Sequence, residues 1–346
     1  MNKFKYIGVY LSPLLALLAF NVSGIFAYTG VFVLYILIPV LENILSKDRY
    51  NFSKAEKEVA KKDVFYDLVL YLLVPLHLFV IYDFIITLSN PEILLSDLIA
   101  SVFMMGTILG INGINGGHEL GHKTDSPFKL FLAHVLLTTS LQNHFMTYHN
   151  SGHHKDVATP KDYSSAKKGA IFYFFAIRSQ IGGYFKTWRL ESQKLKLKNK
   201  SQLFNPMIIH TILPWSFIGL IYFFFGGYIT LLYFIASVYG ISILEAQNYF
   251  SHYGLSRKLK ADGSYERVKA HHSWNSDHLF GRILLFELTR HSDHHYNGAK
   301  AYQILESKTD SPMLPYGYPA MLILSYLPFI FIPVMKRQLK RYELNS

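Results

Sequence analysis

Three short stretches concentrate the reactive side chains of this sequence: HELGHK from His118, YHNSGHH from Tyr148 and RHSDHH from Arg290. His118 and His122 stand four apart. His149, His153 and His154 stand at i, i+4 and i+5; His291, His294 and His295 stand at i, i+3 and i+4. A further histidine, His252, sits in NYFSHYGL. On a helix, residues three and four apart share a face, so each group can present two or three imidazoles to one point. Imidazoles in that number, in a chain without cysteine, are ligands for zinc, copper, iron or nickel. A zinc ion takes four ligands at most in its usual sites, so nine rings are too many for one. Two metals sharing eight or nine nitrogens is the natural division, and redox work at a membrane surface favours iron.

Two plainer readings compete. HELGH fits the H-E-x-x-H pattern of zinc proteases, in which the glutamate is a general base, but an intramembrane metalloprotease leaves the other clusters without purpose. Isolated histidines are ordinarily hydrogen-bonded structural residues, and His77, His134, His144, His210 and His278 are assigned that role. His271 and His272 belong beside the site or on the surface. The nine clustered rings resist such a reading, because burying so many ionisable groups near a bilayer without a metal is costly.

The elements that must hold these rings are membrane helices. Of 346 residues, 51% are hydrophobic, 16% aromatic and only 16% charged, against about 25% charged in soluble domains. A net charge of +11 comes with no nucleic-acid-binding motif, and loops facing an anionic leaflet account for it. Nucleic acid is therefore excluded as a partner and membrane lipid expected. A crossing helix needs roughly 20 apolar residues, and six segments qualify, at about 6–21, 24–45, 64–88, 94–115, 207–225 and 228–249. The stretches NVSG and FGGY make tight turns within two hairpins. Shorter apolar stretches at 128–146, 170–185 and 321–335 read as interfacial or buried helices. Lys47, Arg49, Lys54, Lys57, Lys61 and Lys62 lie between the second and third spans, whereas the loops after the first, third and fifth spans carry no Lys or Arg. The positive-inside rule then puts both termini, and all the histidine stretches, on the cytoplasmic side. The expected fold is all-α: six transmembrane helices under a cytoplasmic histidine-rich cap built from about 116–206 and 250–346, as one domain over 1–346.

With the residues in view, HELGHK, HNSGHH, NYFSHYGL and LTRHSDHH resemble the four histidine motifs of the integral-membrane alkane 1-monooxygenases, within the membrane fatty-acid desaturase and hydroxylase superfamily. HHSWNSDHLFGRILLFELTRHSDHH and LPYGYP resemble the C-terminal half of that family, so the likeness runs from His118 to Pro319. It implies a non-haem di-iron centre held by His118, His122, His149, His153, His154, His252, His291, His294 and His295. It further implies O2-dependent hydroxylation of the terminal carbon of n-alkanes to 1-alkanols in a bacterial inner membrane. Electrons would come from rubredoxin and rubredoxin reductase as separate partners. Hydroxylation or desaturation of fatty acyl or alkylaromatic substrates is the alternative. The sequence departs from the family pattern at Tyr148 and Ser251, where glutamate is usual, and at Thr289, where glutamine is usual. Glu119, Asp293 and Glu245, with Asn248, are the candidates for orienting ligands and balancing charge. An apolar route from the bilayer to the irons is expected to admit the alkyl chain.

Overall fold

A computed structural model describes residues 2–345. Among these residues the secondary structure is helical apart from two isolated bridges, Leu259 with Tyr265 and Asn275 with Met313. The two chain ends, Met1 and Ser346, which the charge pattern puts in the cytoplasm, lie outside the described residues.

Five helical stretches are long and apolar enough to cross a membrane: α1 (Lys3–Asn21), α2 (Gly24–Ile44), α4 (Phe65–Leu88), α5 (Leu95–Gly121) and α9 (Pro206–His252). Between them lie α3 (Lys54–Lys62), α6 (Pro127–Thr139), α7 (145–156) and α8 (Phe172–Leu197). Four shorter elements follow: α10 (Leu279–Leu284), α11 (His291–Tyr296), α12 (Tyr318–Ser325) and α13 (Pro328–Asn345). The α3 helix opens on a reciprocal capping box between Ser53 and Glu56, which satisfies donors that a helix start otherwise leaves bare.

Two of the six expected crossings, 207–225 and 228–249, fall inside α9. This stretch is not one rod. Gly226 has φ 79° and ψ 175°, a conformation open to glycine and strained for other residues. Trp215 stacks on Phe234 with ring centroids 6.5 Å apart, and Phe217 meets Tyr233 at 5.6 Å. In a straight helix, residues 215 and 234 would be roughly 28 Å apart at 1.5 Å per residue. The arms therefore fold back on each other, as the FGGY turn predicts.

The apolar core between α1, α4, α5 and α9 is built by Phe20, Phe84, Met104, Met105, Leu109 and Tyr233. At its tightest crossing, α5 and α9 touch backbone to backbone. A side chain at Gly240 would meet the Gly106 carbonyl oxygen at 2.8 Å and the Gly110 nitrogen at 3.0 Å. Outward-facing positions such as Phe26, Leu72, Phe79 and Phe223 are apolar and exposed, a surface suited to hydrocarbon because the helices satisfy their own backbone groups. A second aromatic core under α12 and α13, around Trp274, Tyr249, Tyr253 and Phe331, supports the region that follows His252.

Candidate metal centre

Each histidine cluster is delivered by a helix end or a distorted helix. His118 lies in the last turn of α5 and His122 immediately follows it, its N–H bonding the His118 carbonyl. Upstream, Leu109–Ile114 winds as a π-helix. A second π-helical segment, His149–His153, occupies the middle of α7. Such segments recur at functional sites because they widen the turn. Here the widening has a direct result. It aligns His149 with His154, five residues on, and turns His153 away from both. His252 ends α9, and His291, His294 and His295 lie on α11.

The nine rings form two sets. In the first, the Nε2 atoms of His118, His122, His149, His154 and His294 converge: His118 to His149 2.8 Å, His118 to His122 3.0 Å, His118 to His294 3.2 Å, His149 to His294 3.3 Å, His154 to His149 2.9 Å and His154 to His294 3.1 Å. In the second, His291 Nε2 lies 3.1 Å from the Nε2 atoms of both His252 and His295, and His153 completes a group whose nitrogens all lie within 4.8 Å. The sets abut where His154 stacks on His295, with centroids 4.4 Å apart. The sequence clusters are thus not the spatial sets. Two of the three tight groups divide between them, contrary to the expectation that each serves one point: His153 parts from His149 and His154, and His294 from His291 and His295.

The donor set fits metal ions. A neutral imidazole Nε2 carries either one hydrogen or one lone pair, so five converging Nε2 atoms cannot satisfy each other pairwise. Separations of 2.8–3.3 Å are those of neighbouring ligands around an ion with metal–nitrogen bonds of about 2.0–2.1 Å. In the second set the His153 Nε2 has no hydrogen-bond partner although it is buried. Burial first, and neighbouring rings second, hold His149, His154, His291, His294 and His295 well below the ordinary imidazole range. They are therefore neutral, the form that binds metal.

A carboxylate that sequence reasoning missed orients this centre. Asp162, 1% exposed, accepts from His153 Nδ1 at 2.8 Å, from the Ser165 hydroxyl at 2.6 Å and from the Tyr148 hydroxyl at 2.9 Å. Burial alone would favour the neutral acid, but the His153 ring and the Ser165 hydroxyl hold the Asp162 carboxyl well below the usual range. The bond fixes the His153 tautomer with Nε2 free to coordinate. Nothing marked Asp162 in sequence, because it lies eight residues beyond His154 in a stretch that reads as a loop. His252 Nδ1 faces the His272 carbonyl oxygen at 3.4 Å, a support supplied by backbone and so invisible to composition.

The candidates for orienting ligands lie differently. Glu119 pairs with Lys123 at 3.1 Å. Asp293 pairs with Lys300 at 2.5 Å and Lys308 at 3.2 Å. Glu245 takes the Gln180 amide and lies 3.5 Å from the Asn248 amide nitrogen. Among the described residues, the side-chain carboxylate bonded to one of the nine rings is Asp162. The three departures also find places. Tyr148 builds the Asp162 network, the Ser251 hydroxyl lies 3.1 Å from that of Tyr318, and the Thr289 hydroxyl is buried without a partner. The isolated histidines stay structural: His77 bonds the Thr139 hydroxyl at 3.0 Å and His278 the Ser276 hydroxyl at 2.8 Å.

A buried ion cluster locks α11 in place. Glu287 receives Arg282 at 2.5 Å, Lys5 at 3.0 Å and the Tyr6 hydroxyl at 2.6 Å, tying the start of α1 to the segment before His291. Burial opposes the charge, but Arg282 and Lys5 outweigh it and hold the Glu287 carboxyl at about 2. On its other side the first set opens on an apolar cavity, where His118 and His149 meet Ile111, Ile114, Phe145 and Ile243.

Helices with apolar outer faces carrying a cage of converging histidines define an integral-membrane, metal-dependent class. A model of the fatty acid desaturase family matches residues 95–324. Alkane 1-monooxygenase 1 of Alcanivorax borkumensis is 33% identical over 332 residues, covering 94% of this chain and 81% of that protein. Alkane 1-monooxygenase of Pseudomonas putida is 34% identical over 318 residues, covering 90% and 78%. The xylene/toluene monooxygenase hydroxylase component of Pseudomonas putida is 25% identical over 349 residues, covering 99% and 90%. The chain belongs to the alkane 1-monooxygenase family, within the desaturase and hydroxylase superfamily. That assignment displaces the metalloprotease reading, which used His118 and His122 and left the other seven rings idle.

Proposed function

We propose that this protein is a rubredoxin-dependent alkane 1-monooxygenase, hydroxylating the terminal carbon of n-alkanes with O2 at a di-iron centre. The observation that carries the reading is the division of nine imidazoles, eight buried and His154 half-buried, into sets of five and four, with the first set bordering an apolar cavity. An unactivated C–H bond offers no acid, base or electrophilic handle, so hydrolytic groups have nothing to act on. Two irons supply the activation of O2 and the electron storage that such a bond requires. His118, His122, His149, His154 and His294 would hold one, and His153, His252, His291 and His295 the other.

The chain's own residues do the rest. Ile111, Ile114, Phe145 and Ile243 hold an alkyl chain by apolar contact and exclude water from the reacting end. Asp162 fixes His153. The reading places the whole chain, 1–346, as one catalytic domain in a bacterial inner membrane, with six crossings and both termini cytoplasmic. The His-bearing cap then faces the compartment of rubredoxin and its reductase.

Purified protein should carry about two irons per chain. With rubredoxin, reductase, NADH and an n-alkane it should form the 1-alkanol, seen by gas chromatography. One zinc per chain would overturn the reading. Activity confined to acyl lipids or methylaromatics would replace the substrate while leaving the metal chemistry intact.

A further inference from the structure

Oxygen insertion has a proton demand that the nine rings do not meet. Placing one atom of O2 into a C–H bond and releasing the other as water consumes two electrons and two protons: R–H + O2 + 2 e⁻ + 2 H⁺ → R–OH + H2O. In the proposed reaction the electrons come from the one-electron carrier protein. The protons must reach a centre eight of whose nine rings are buried.

One carboxyl is built for that passage. Glu245, on the second arm of α9, is 2% exposed. Glu119, Asp293 and Glu287 sit against lysine or arginine, whereas the partners of Glu245 are the neutral Gln180 and Asn248 amides. A carboxyl among neutral partners can take and release a proton without breaking an ion pair. Glu245 borders a small void that Ser164, Ser179, Tyr148, Phe145 and His144 also line, with room for about one water. Asn248 and Phe145 line both that void and the apolar cavity beside His118 and His149. On the far side, the Ser179 and Ser164 hydroxyls are 3.0 Å apart. The residue after Ser164, Ser165, lines a surface pocket rimmed by Lys167, Lys168 and Arg178.

We propose that Glu245 delivers protons to the cavity at the metal centre, and that the Ser179–Ser164 hydroxyl pair recharges it from the aqueous surface. In each delivery the Glu245 O–H bond breaks toward the cavity, and a proton handed along the two hydroxyls restores it. Two such cycles supply the two protons of one turnover. The inference rests on the monooxygenase reading above, and the test separates the two.

The test compares wild type with Glu245→Gln, Glu245→Asp and Ser179→Ala. Glu245→Gln should keep its iron yet lose turnover by about 10²-fold, the scale of one proton-transfer group, with NADH oxidation diverted to hydrogen peroxide. Glu245→Asp should recover part of the coupling, which a packing defect would not allow. Ser179→Ala should enlarge the solvent deuterium isotope effect on kcat. A second readout needs no turnover. In infrared spectra of the resting protein, a protonated-carboxyl band absent from Glu245→Gln should shift in D2O, and shift more slowly in Ser179→Ala. Full coupling in iron-replete Glu245→Gln, or no exchangeable band, overturns the relay. A wild type that hydroxylates no alkane, acyl lipid or methylaromatic while its Glu245 band exchanges overturns the monooxygenase reading and leaves the proton path standing.

Discussion

The two histidine sets differ in how they are held and in what they face. The set of five borders the apolar cavity through His118 and His149, and its rings come from the end of α5 and the residue that follows it, from α7 and from α11. The set of four is braced from behind, by Asp162 on His153 and the His272 carbonyl on His252. The difference suggests a division of labour: under the proposed function the five-ring set, which borders the cavity, is the one that would meet substrate, and the four-ring set is the anchored half. Both depend on α11, which contributes His294 to one and His291 and His295 to the other, and which Glu287 ties to the start of α1.

The strongest test of that division removes a ligand from each side. His291→Ala and His294→Ala should both abolish turnover. The four-ring set loses a quarter of its donors, whereas the five-ring set keeps four, so iron content should fall further in His291→Ala. Equal loss in both variants would mean the two sets bind metal as one indivisible unit.

Glu287→Gln should damage both sets together. Removing one partner of a buried ion pair costs about 3–5 kcal/mol, read as a lower thermal midpoint in detergent. Its acid dependence follows from the depressed carboxyl. The Glu287 contribution is fully present above the ordinary value of 4.5 and is lost as pH falls through about 2. Between those limits wild type should lose stability more steeply than Glu287→Gln; parallel curves would place the stabilisation elsewhere.

Asp162→Asn should weaken metal affinity or activity by about 10–100-fold, with iron lost from the four-ring set first in a chelator competition. Glu119→Gln, whose carboxylate pairs with Lys123, should hold its iron nearly as wild type does. If the two variants behave alike, the bracing role assigned to Asp162 is wrong. The smallest effect belongs to the cavity wall: Ile111→Phe should shift the preferred alkane length at unchanged iron content, as a product series across chain lengths would show.

Much of this was legible in one dimension because it depends on local spacing or bulk composition. All nine rings could be picked out by their clustering or by their motif, and the apolar segments by length. The hairpin at Gly226 was visible as FGGY, since a turn there needs a residue free of Cβ constraint. Asp162 was not legible, because its role comes from a loop folding back under His153. Glu287 was equally hidden: its partners Lys5 and Tyr6 lie about 280 residues away in the chain.

By itself, then, the sequence determined a helical membrane chain and the nine imidazoles it carries, because hydropathy and i, i+4 spacing are properties of neighbouring residues. Only the tertiary structure decided which ring joins which set. The π-helical turn in α7 shifts His153 out of register with His149, and α11 inserts between the sets with His294 facing one and His291 and His295 the other. Register and insertion arise from packing among α5, α7, α9 and α11, which no single stretch of sequence encodes.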